Sequence, residues 1–267
     1  MKPRPRSLLR VAAAVALAAA AGCATIATTP DAATKALAPT GTLRVGLYPG
    51  TPTSIVGDPA SGSAKGVGYD LGRALAARAG VPFEPVVFPK NAEVLAAAKA
   101  GKVDMMFTNA TAVRMQDLDF SPTVLQVEQG YLVPAGSAIK TQVDVDRTGV
   151  RVGVSEGSTS ETTLSRELVN ARVVRTASLR AAVDMLAAGT LDAFATNKAT
   201  LFEMSDDLPG SRVLPGRWGL ESFAIGIPKR RDAALPMLSA FVSDAKAQGV
   251  VARAIERAGL RGAVVAY

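Results

Sequence analysis

One arginine stands in a setting suited to recognition chemistry. The run Thr108-Asn-Ala-Thr-Ala-Val-Arg-Met-Gln-Asp-Leu-Asp-Phe-Ser-Pro122 puts Arg114 just beyond a predicted strand, Val103 to Phe107. A guanidinium is a rigid planar fork that pairs bidentately with a carboxylate. Asn109 and Thr111 flank the same strand end, where such side chains also satisfy turn backbone. A second polar cluster, Ser158-Thr-Ser160, precedes a predicted helix. Helix N-termini leave N–H groups unpaired and carry the positive end of the dipole, so this cluster is suited to an anion as well as to ordinary capping.

What is missing narrows the chemistry further. The chain has no histidine and one cysteine, Cys23. Zinc sites of the usual ligand types, Ser-His-Asp and Cys-His nucleophiles and an internal disulfide are therefore excluded. The expectation is capture without catalysis, with no cofactor and no metal.

The formal charge of +7 overstates the basic character. Lys2, Arg4, Arg6 and Arg10 belong to a basic segment followed by the apolar run Val11 to Ala21. That run is too short to span a membrane, which needs about 20 residues, and it ends in Ala20-Ala-Gly-Cys23. A basic segment, a short apolar run and a small-small-Cys boundary predict a lipoprotein signal over 1–22, with Cys23 lipidated. Ala20, where such signals usually carry leucine, leaves ordinary signal-peptidase cleavage as the alternative. Residues 23–40, rich in Ala, Thr and Pro, read as a flexible tether. The one later basic run, Lys229-Arg-Arg231, reads as a solvated loop, and with few aromatics nucleic-acid binding has no support.

The rest is long enough for two modest lobes. Strands are predicted at Leu43 to Leu47, Pro85 to Phe88, Val103 to Phe107 and Tyr131 to Val133. Helices fall at Tyr69 to Ala79 and Asn91 to Ala100, stopped by Gly80 and Gly101. A second series runs from Val150, with strands at Val150 to Val154, Val173-Val174, Leu191 to Ala195 and Phe223 to Ile227. Helices in this part run from Ser160 to about Val169, from a Ser178 cap to Ala188, over Lys198 to Met204, and over Ala233 to Ala247 and Val251 to Ala258. Such alternation predicts an α/β fold with parallel sheets. Two series and a returning tail predict two lobes, 41–134 plus 226–267 and 135–225, with hinge crossings near Pro134 to Ser137 and Glu221 to Ile225.

Several motifs carry a resemblance. Gly41-Thr-Leu-Arg-Val-Gly46, Gly66-Val-Gly-Tyr-Asp-Leu71, Ala100-Gly-Lys-Val-Asp104, Arg114-x4-Asp119-Phe-Ser-Pro122 and Gly149-Val-Arg-Val-Gly-Val-Ser-Glu-Gly-Ser158 occur in order. In this the chain resembles family 3 of the bacterial extracellular solute-binding proteins, the capture components of polar amino-acid ABC importers. The resemblance implies a type II periplasmic-binding-protein-like architecture, with two α/β lobes closing on a ligand cleft. It implies that Arg114 holds a ligand carboxylate and that Asn109 and Thr111 hold its other substituents. Ser158 and Thr159 would approach from the second lobe, and Tyr69 would stack on the ligand. Trp218, just before the second crossing, reads as packing.

Two positions depart from the family pattern. Asp192-Ala-Phe-Ala-Thr-Asn197 ends in asparagine where amino-acid binders of the family supply an aspartate for the ligand ammonium. Tyr48 stands at the end of the first strand, where an acid is common. Burying an ammonium without a negative partner costs several kcal/mol, on the order of the desolvation of any buried charge. Either another carboxylate serves, with Glu156 and Glu221 as candidates, or the ligand lacks a cationic amine. The function expected is a monomeric, envelope-localised, lipid-anchored binding protein that delivers a small carboxylate to an ABC permease. A sensory binding module and a dehydratase-like enzyme on the same fold remain the alternatives.

Overall fold

The computed structural model describes Met1 and residues 31–266. The predicted signal after Met1, Cys23 and the first part of the predicted tether lie outside the described residues. The first series runs α1 (Ala32–Leu37), β1 (Leu43–Leu47), α2 (Val67–Ala79), β2 (Phe83–Val87), α3 (Asn91–Lys99), β3 (Met105–Asn109) and β4 (Leu118–Phe120). A long strand, β5 (Leu125–Val133), leads into the second series. There follow β6 (Arg151–Ser155), α4 (Thr159–Glu167), β7 (Arg172–Thr176), α5 (Leu179–Ala187), β8 (Ala193–Asn197), α6 (Lys198–Asp206) and β9 (Arg212–Val213). The chain returns through β10 (Gly219–Pro228) and closes with α7 (Leu235–Ala247), α8 (Val250–Ala258) and β11 (Ala263–Val265).

Both series are built alike. In each, the first strand lies between the second and third and pairs with both in parallel: β1 with β2 and β3, β6 with β7 and β8. Helices cover these sheets, so β3 and β8 begin as unbroken apolar runs, Met105 to Phe107 and Ala193 to Ala195, rather than alternating ones. In β8, Ala193 and Ala195 join one core cluster while Phe194 joins the cluster on the opposite face, as the two-residue period of a strand requires. The first lobe has its own core around Leu43, Leu47, Leu71, Ile225 and Leu238.

An arginine–aspartate clamp repeats in both lobes. Arg44 on β1 grips Asp104, just before β3, through Nε at 2.8 Å and Nη2 at 2.8 Å. Arg151 on β6 grips Asp192, just before β8, at 2.9 Å and 3.0 Å. Asp104 is fully buried and also accepts from Arg231 Nη1 at 2.8 Å, which ties the returning tail to the first lobe.

Two long antiparallel strands join the lobes. β10 pairs with β5 from Gly219 to Phe223, then with β3 from Phe223 onward. β5 pairs with β10 and β11 over its first half and with β8 from Gln129. The sequence puts the first crossing near Pro134 to Ser137; the pairing changes hands earlier, around Glu128 and Gln129. The reason is that β5 is one continuous strand of nine residues, so the chain passes between lobes inside a strand and not in the loop after it.

The predicted tether also needs correction at its end. α1 is capped by Asp31, whose carboxylate accepts from the Thr34 N–H at 2.7 Å. Leu37 is fully buried in the first lobe's core, and Arg231 donates to its carbonyl at 3.0 Å. Burying one leucine contributes about 1.5–3 kcal/mol, enough to dock a short helix whose Ala/Thr composition reads as featureless. At the start of α2, Gly66 takes φ 151°, and a Cβ there would stand 2.2 Å from the Ser54 carbonyl oxygen. That close approach explains the glycine in Gly66-Val-Gly-Tyr.

Candidate functional site

The carboxyl end of β3 opens between the lobes. After Asn109 the chain turns, and a single 3-10 turn, Arg114–Gln116, carries Arg114 back over the strand end. Thr111 Oγ1 accepts from the Arg114 N–H at 3.3 Å and so shapes this turn. The half-buried guanidinium donates through Nη1 to Thr108 Oγ1 at 2.5 Å and to the Asn109 carbonyl at 3.4 Å. Both acceptors are neutral, and Nη1 serves both. Nη2 and Nε have no protein partner among the described residues, so the outer half of the fork is available. Burial pushes the guanidinium down from its ordinary value, opposed by Glu221 and then Tyr48, yet an arginine stays cationic at neutral pH.

The second lobe meets this point with the start of α4. Ser158 is the N-cap, accepting from the Glu161 N–H at 3.1 Å, and Thr159 opens the helix. Asn109 Nδ2 donates across the cleft to Thr159 Oγ1 and, at 2.7 Å, to Glu221 Oε1. Ser160 is buried and donates to Gln129 Oε1 at 3.4 Å. Further cross-lobe contacts are Thr51 Oγ1 to Thr200 Oγ1 at 2.7 Å and Lys90 Nζ to Glu156 Oε2 at 2.7 Å. The lobes therefore touch on both sides of a small inner cavity, about 40 Å³. Tyr48, Asn109, Arg114, Ser158, Thr159, Asn197 and Glu221 line it, with Asn91, Thr108, Ser160, Thr196 and Phe223. A wider groove of about 460 Å³ lies outside it and shares Arg114, Ser158 and Thr159.

Most residues singled out in the sequence meet here. Thr111 lines the outer groove and not the inner cavity. Tyr69 is the clear correction. It is 9% exposed, sits in the first lobe's core and makes an edge-on contact with Phe83 at 5.2 Å. The face of α2 it occupies is the one packed on the sheet, so its ring is spent on the core and cannot stack on a ligand. Trp218 packs beside Tyr131 and donates from Nε1 to the Gly130 carbonyl at 2.9 Å.

The two departures take definite roles. Asn197 is the N-cap of α6: its Oδ1 accepts from Thr200 N at 3.0 Å and from Thr200 Oγ1 at 3.1 Å. The helix thus uses the oxygen, and only the Nδ2 donor remains for the cavity. The Tyr48 phenol is pushed up to about 12 by burial, with Arg114 opposing and Glu221 adding to the rise, so it is neutral. Glu156 is tied to Lys90 near the protein surface. Glu221 is half-buried in the cavity wall, and burial raises its carboxyl above the usual range against the pull of Thr159 and Arg114. The sequence did not single out Asn91, Thr108 or Thr196; Asn91 read only as a cap, and strand-end threonines carry no distinguishing signal. Among the described residues, no group of three or more His, Cys, Asp or Glu could hold a metal, and no helix is long and apolar enough to cross a membrane.

Two α/β lobes joined by paired crossing strands, with an arginine facing a helix N-terminus across the cleft, define a type II periplasmic-binding-protein-like fold. The chain matches the family Bacterial extracellular solute-binding proteins, family 3, over residues 43–259, and it belongs to that family. It is similar to the ABC transporter glutamine-binding protein GlnH of Bacillus subtilis (strain 168), 26% identical over 151 residues, 56% of this chain and 55% of that protein. It is also similar to the glutamine-binding protein of Geobacillus stearothermophilus, 29% identical over 131 residues, 48% of this chain and 50% of that one. These alignments thus span about half the length of each relative. Among solved structures it resembles the ancestral amino acid-binding protein AncCDT-1, a precursor of cyclohexadienyl dehydratase. The TM-score is 0.72 at 25% identity, covering 84% of this chain and 98% of that one.

Proposed function

We propose that this protein is the extracytoplasmic capture component of an ABC importer. It holds a small carboxylate-bearing solute, an amino acid or a related organic acid, between lobes that close on it and reopen at a permease. The observation that carries this reading is Arg114, with the outer half of its fork unpaired and facing the first turn of α4 across the cleft. A carboxylate bridging the two would favour the closed arrangement, because only there do both lobes contact it. That two relatives are glutamine-binding proteins supports an amino acid as the first class to test. The hinge would be the pair of strands β5 and β10. Export by segment 1–22 and anchoring through Cys23 complete the proposal, with the monomer as the working unit.

The test is calorimetry with the twenty L-amino acids and their 2-hydroxy acid counterparts. Wild type should bind at least one of them. Arg114→Met should weaken that binding by about 100-fold, as expected for losing a charge-assisted bidentate pair in a desolvated site. No binder in either series, or an Arg114→Met protein that binds as tightly as wild type, overturns the proposal.

A further inference from the structure

The lining of the inner cavity contains one cation and one carboxylate. The cation is Arg114; the carboxylate is Glu221, on the crossing strand β10. The other acid near the cleft, Glu156, is already paired with Lys90. Asn197, at the position where the family pattern has an acid, has its oxygen committed to capping α6. Glu221 accepts from Asn109 Nδ2 at 2.7 Å, and the Thr159 hydroxyl and Gln129 amide are also close enough to lower its carboxyl, among the about four acceptor positions of an ionised carboxylate. Asn91 Oδ1, a second acceptor in the same lining, is buried and makes no hydrogen bond.

We propose that Glu221 holds the ammonium of a zwitterionic α-amino acid whose carboxylate pairs with Arg114. This rests on the reading of the cleft given above and deepens it. The amine site has moved from the start of α6, in the second lobe, to a strand that both lobes share. Charge balance decides among ligand classes. A simple organic acid would bring a second negative charge into a small cavity that already holds Glu221, and one of the two would have to be protonated. An amine without a carboxylate would leave Arg114 unmatched. A zwitterion answers both groups, and burial of each charge is then compensated by a partner. Burial raises the Glu221 carboxyl although Thr159 and Arg114 pull it down, and a bound ammonium would add to that pull. The neutral Tyr48 phenol adds no charge to this balance.

The experiment compares each L-amino acid that binds with its 2-hydroxy acid, on wild type, Glu221→Gln and Glu221→Asp, by calorimetry, with circular dichroism and thermal melting as the check on folding. Wild type should prefer the amino acid by at least about 30-fold, the lower end of the effect of unpairing a buried charge. Glu221→Gln should abolish most of that preference by weakening the amino acid, leaving the hydroxy acid within about threefold or tighter. Glu221→Asp keeps the charge and should keep the sign of the preference, so it serves if the glutamine variant misfolds. An unchanged preference in Glu221→Gln, or loss of the preference in a folded Glu221→Asp, overturns the assignment. Wild type binding only hydroxy acids overturns it while leaving the capture role intact. Binding of neither series overturns both.

Discussion

Arg114 shows how a lone charged side chain can be held ready for the recognition role proposed for it. Its Nη1 is anchored on the neutral oxygens of Thr108 and Asn109, so its position is fixed while its charge is not cancelled by direct contact. Tyr69 shows the reverse. An aromatic ring in a ligand-binding motif is consumed by packing against Phe83 in the core. Tyr69→Ala should therefore cost about 3–5 kcal/mol of stability, the range for removing a large buried ring. It should leave ligand affinity unchanged at temperatures where the protein stays folded. Thermal melting and calorimetry on the same sample separate these effects, and a large loss of affinity without loss of stability would refute the core assignment. Arg114 could be read from its neighbours in the chain because the turn that aims it is local. The burial of Tyr69 could not, because which face of α2 meets the sheet is fixed by contacts with distant residues.

At the scale of elements, the repeated arginine–aspartate clamp holds the first and third strands of each series in register. In Asp104, burial by itself would raise the carboxyl; the hydrogen bonds from Arg44 and Arg231 outweigh it, and the net effect is a lowered value. Asp192 is lowered chiefly by its hydrogen bond to Arg151. A carboxyl lowered on folding contributes stability that is complete above its unfolded value, near pH 4. That contribution is lost as pH falls through the lowered folded value. Asp104→Ala leaves Arg44 and Arg231 facing each other without their anion and should cost about 3–5 kcal/mol at neutral pH. The deficit relative to wild type should shrink as pH falls from about 4 toward the lowered folded value, because the unfolded chain then binds a proton that the folded carboxyl does not. Urea melts at pH 7 and pH 3 test this; a deficit independent of pH would mean that packing rather than charge carries the effect. Helices were legible at this scale from caps and stops such as Ser178 and Gly80. α1 was not, because what docks it, Leu37 above all, is burial in a core assembled from residues far along the chain.

For the whole molecule, one buried hydrogen bond between the lobes joins Thr51 to Thr200. On the proposed closing motion, Thr51→Val should weaken the closed arrangement by about 0.5–1.5 kcal/mol, the net contribution of one hydrogen bond. Small-angle scattering of the ligand-free variant should then show a larger radius of gyration than wild type, with the difference removed by saturating ligand. Lys90→Met, which breaks the solvent-exposed pair with Glu156, should do less, because exposed pairs contribute little. Equal radii for wild type and Thr51→Val would show that this bond does not govern the opening.

The amino-acid sequence by itself determined the alternation of strands and helices, the absence of histidine chemistry, the position of Arg114 beyond a strand end and the polar start of α4. Each depends on residues within one or two turns of chain, or on composition. Tertiary structure alone decided that the first crossing lies inside β5, that α1 docks, and that Asn197 gives its oxygen to a helix. It also decided which of two candidate acids shares a cavity with Arg114: Glu156 pairs across the cleft with Lys90, while Glu221, from a strand more than a hundred residues past Arg114, lines the same cavity as Arg114. Pairing of β10 with β3 and β5 brings it there, and the register of distant strands is not written in local pattern.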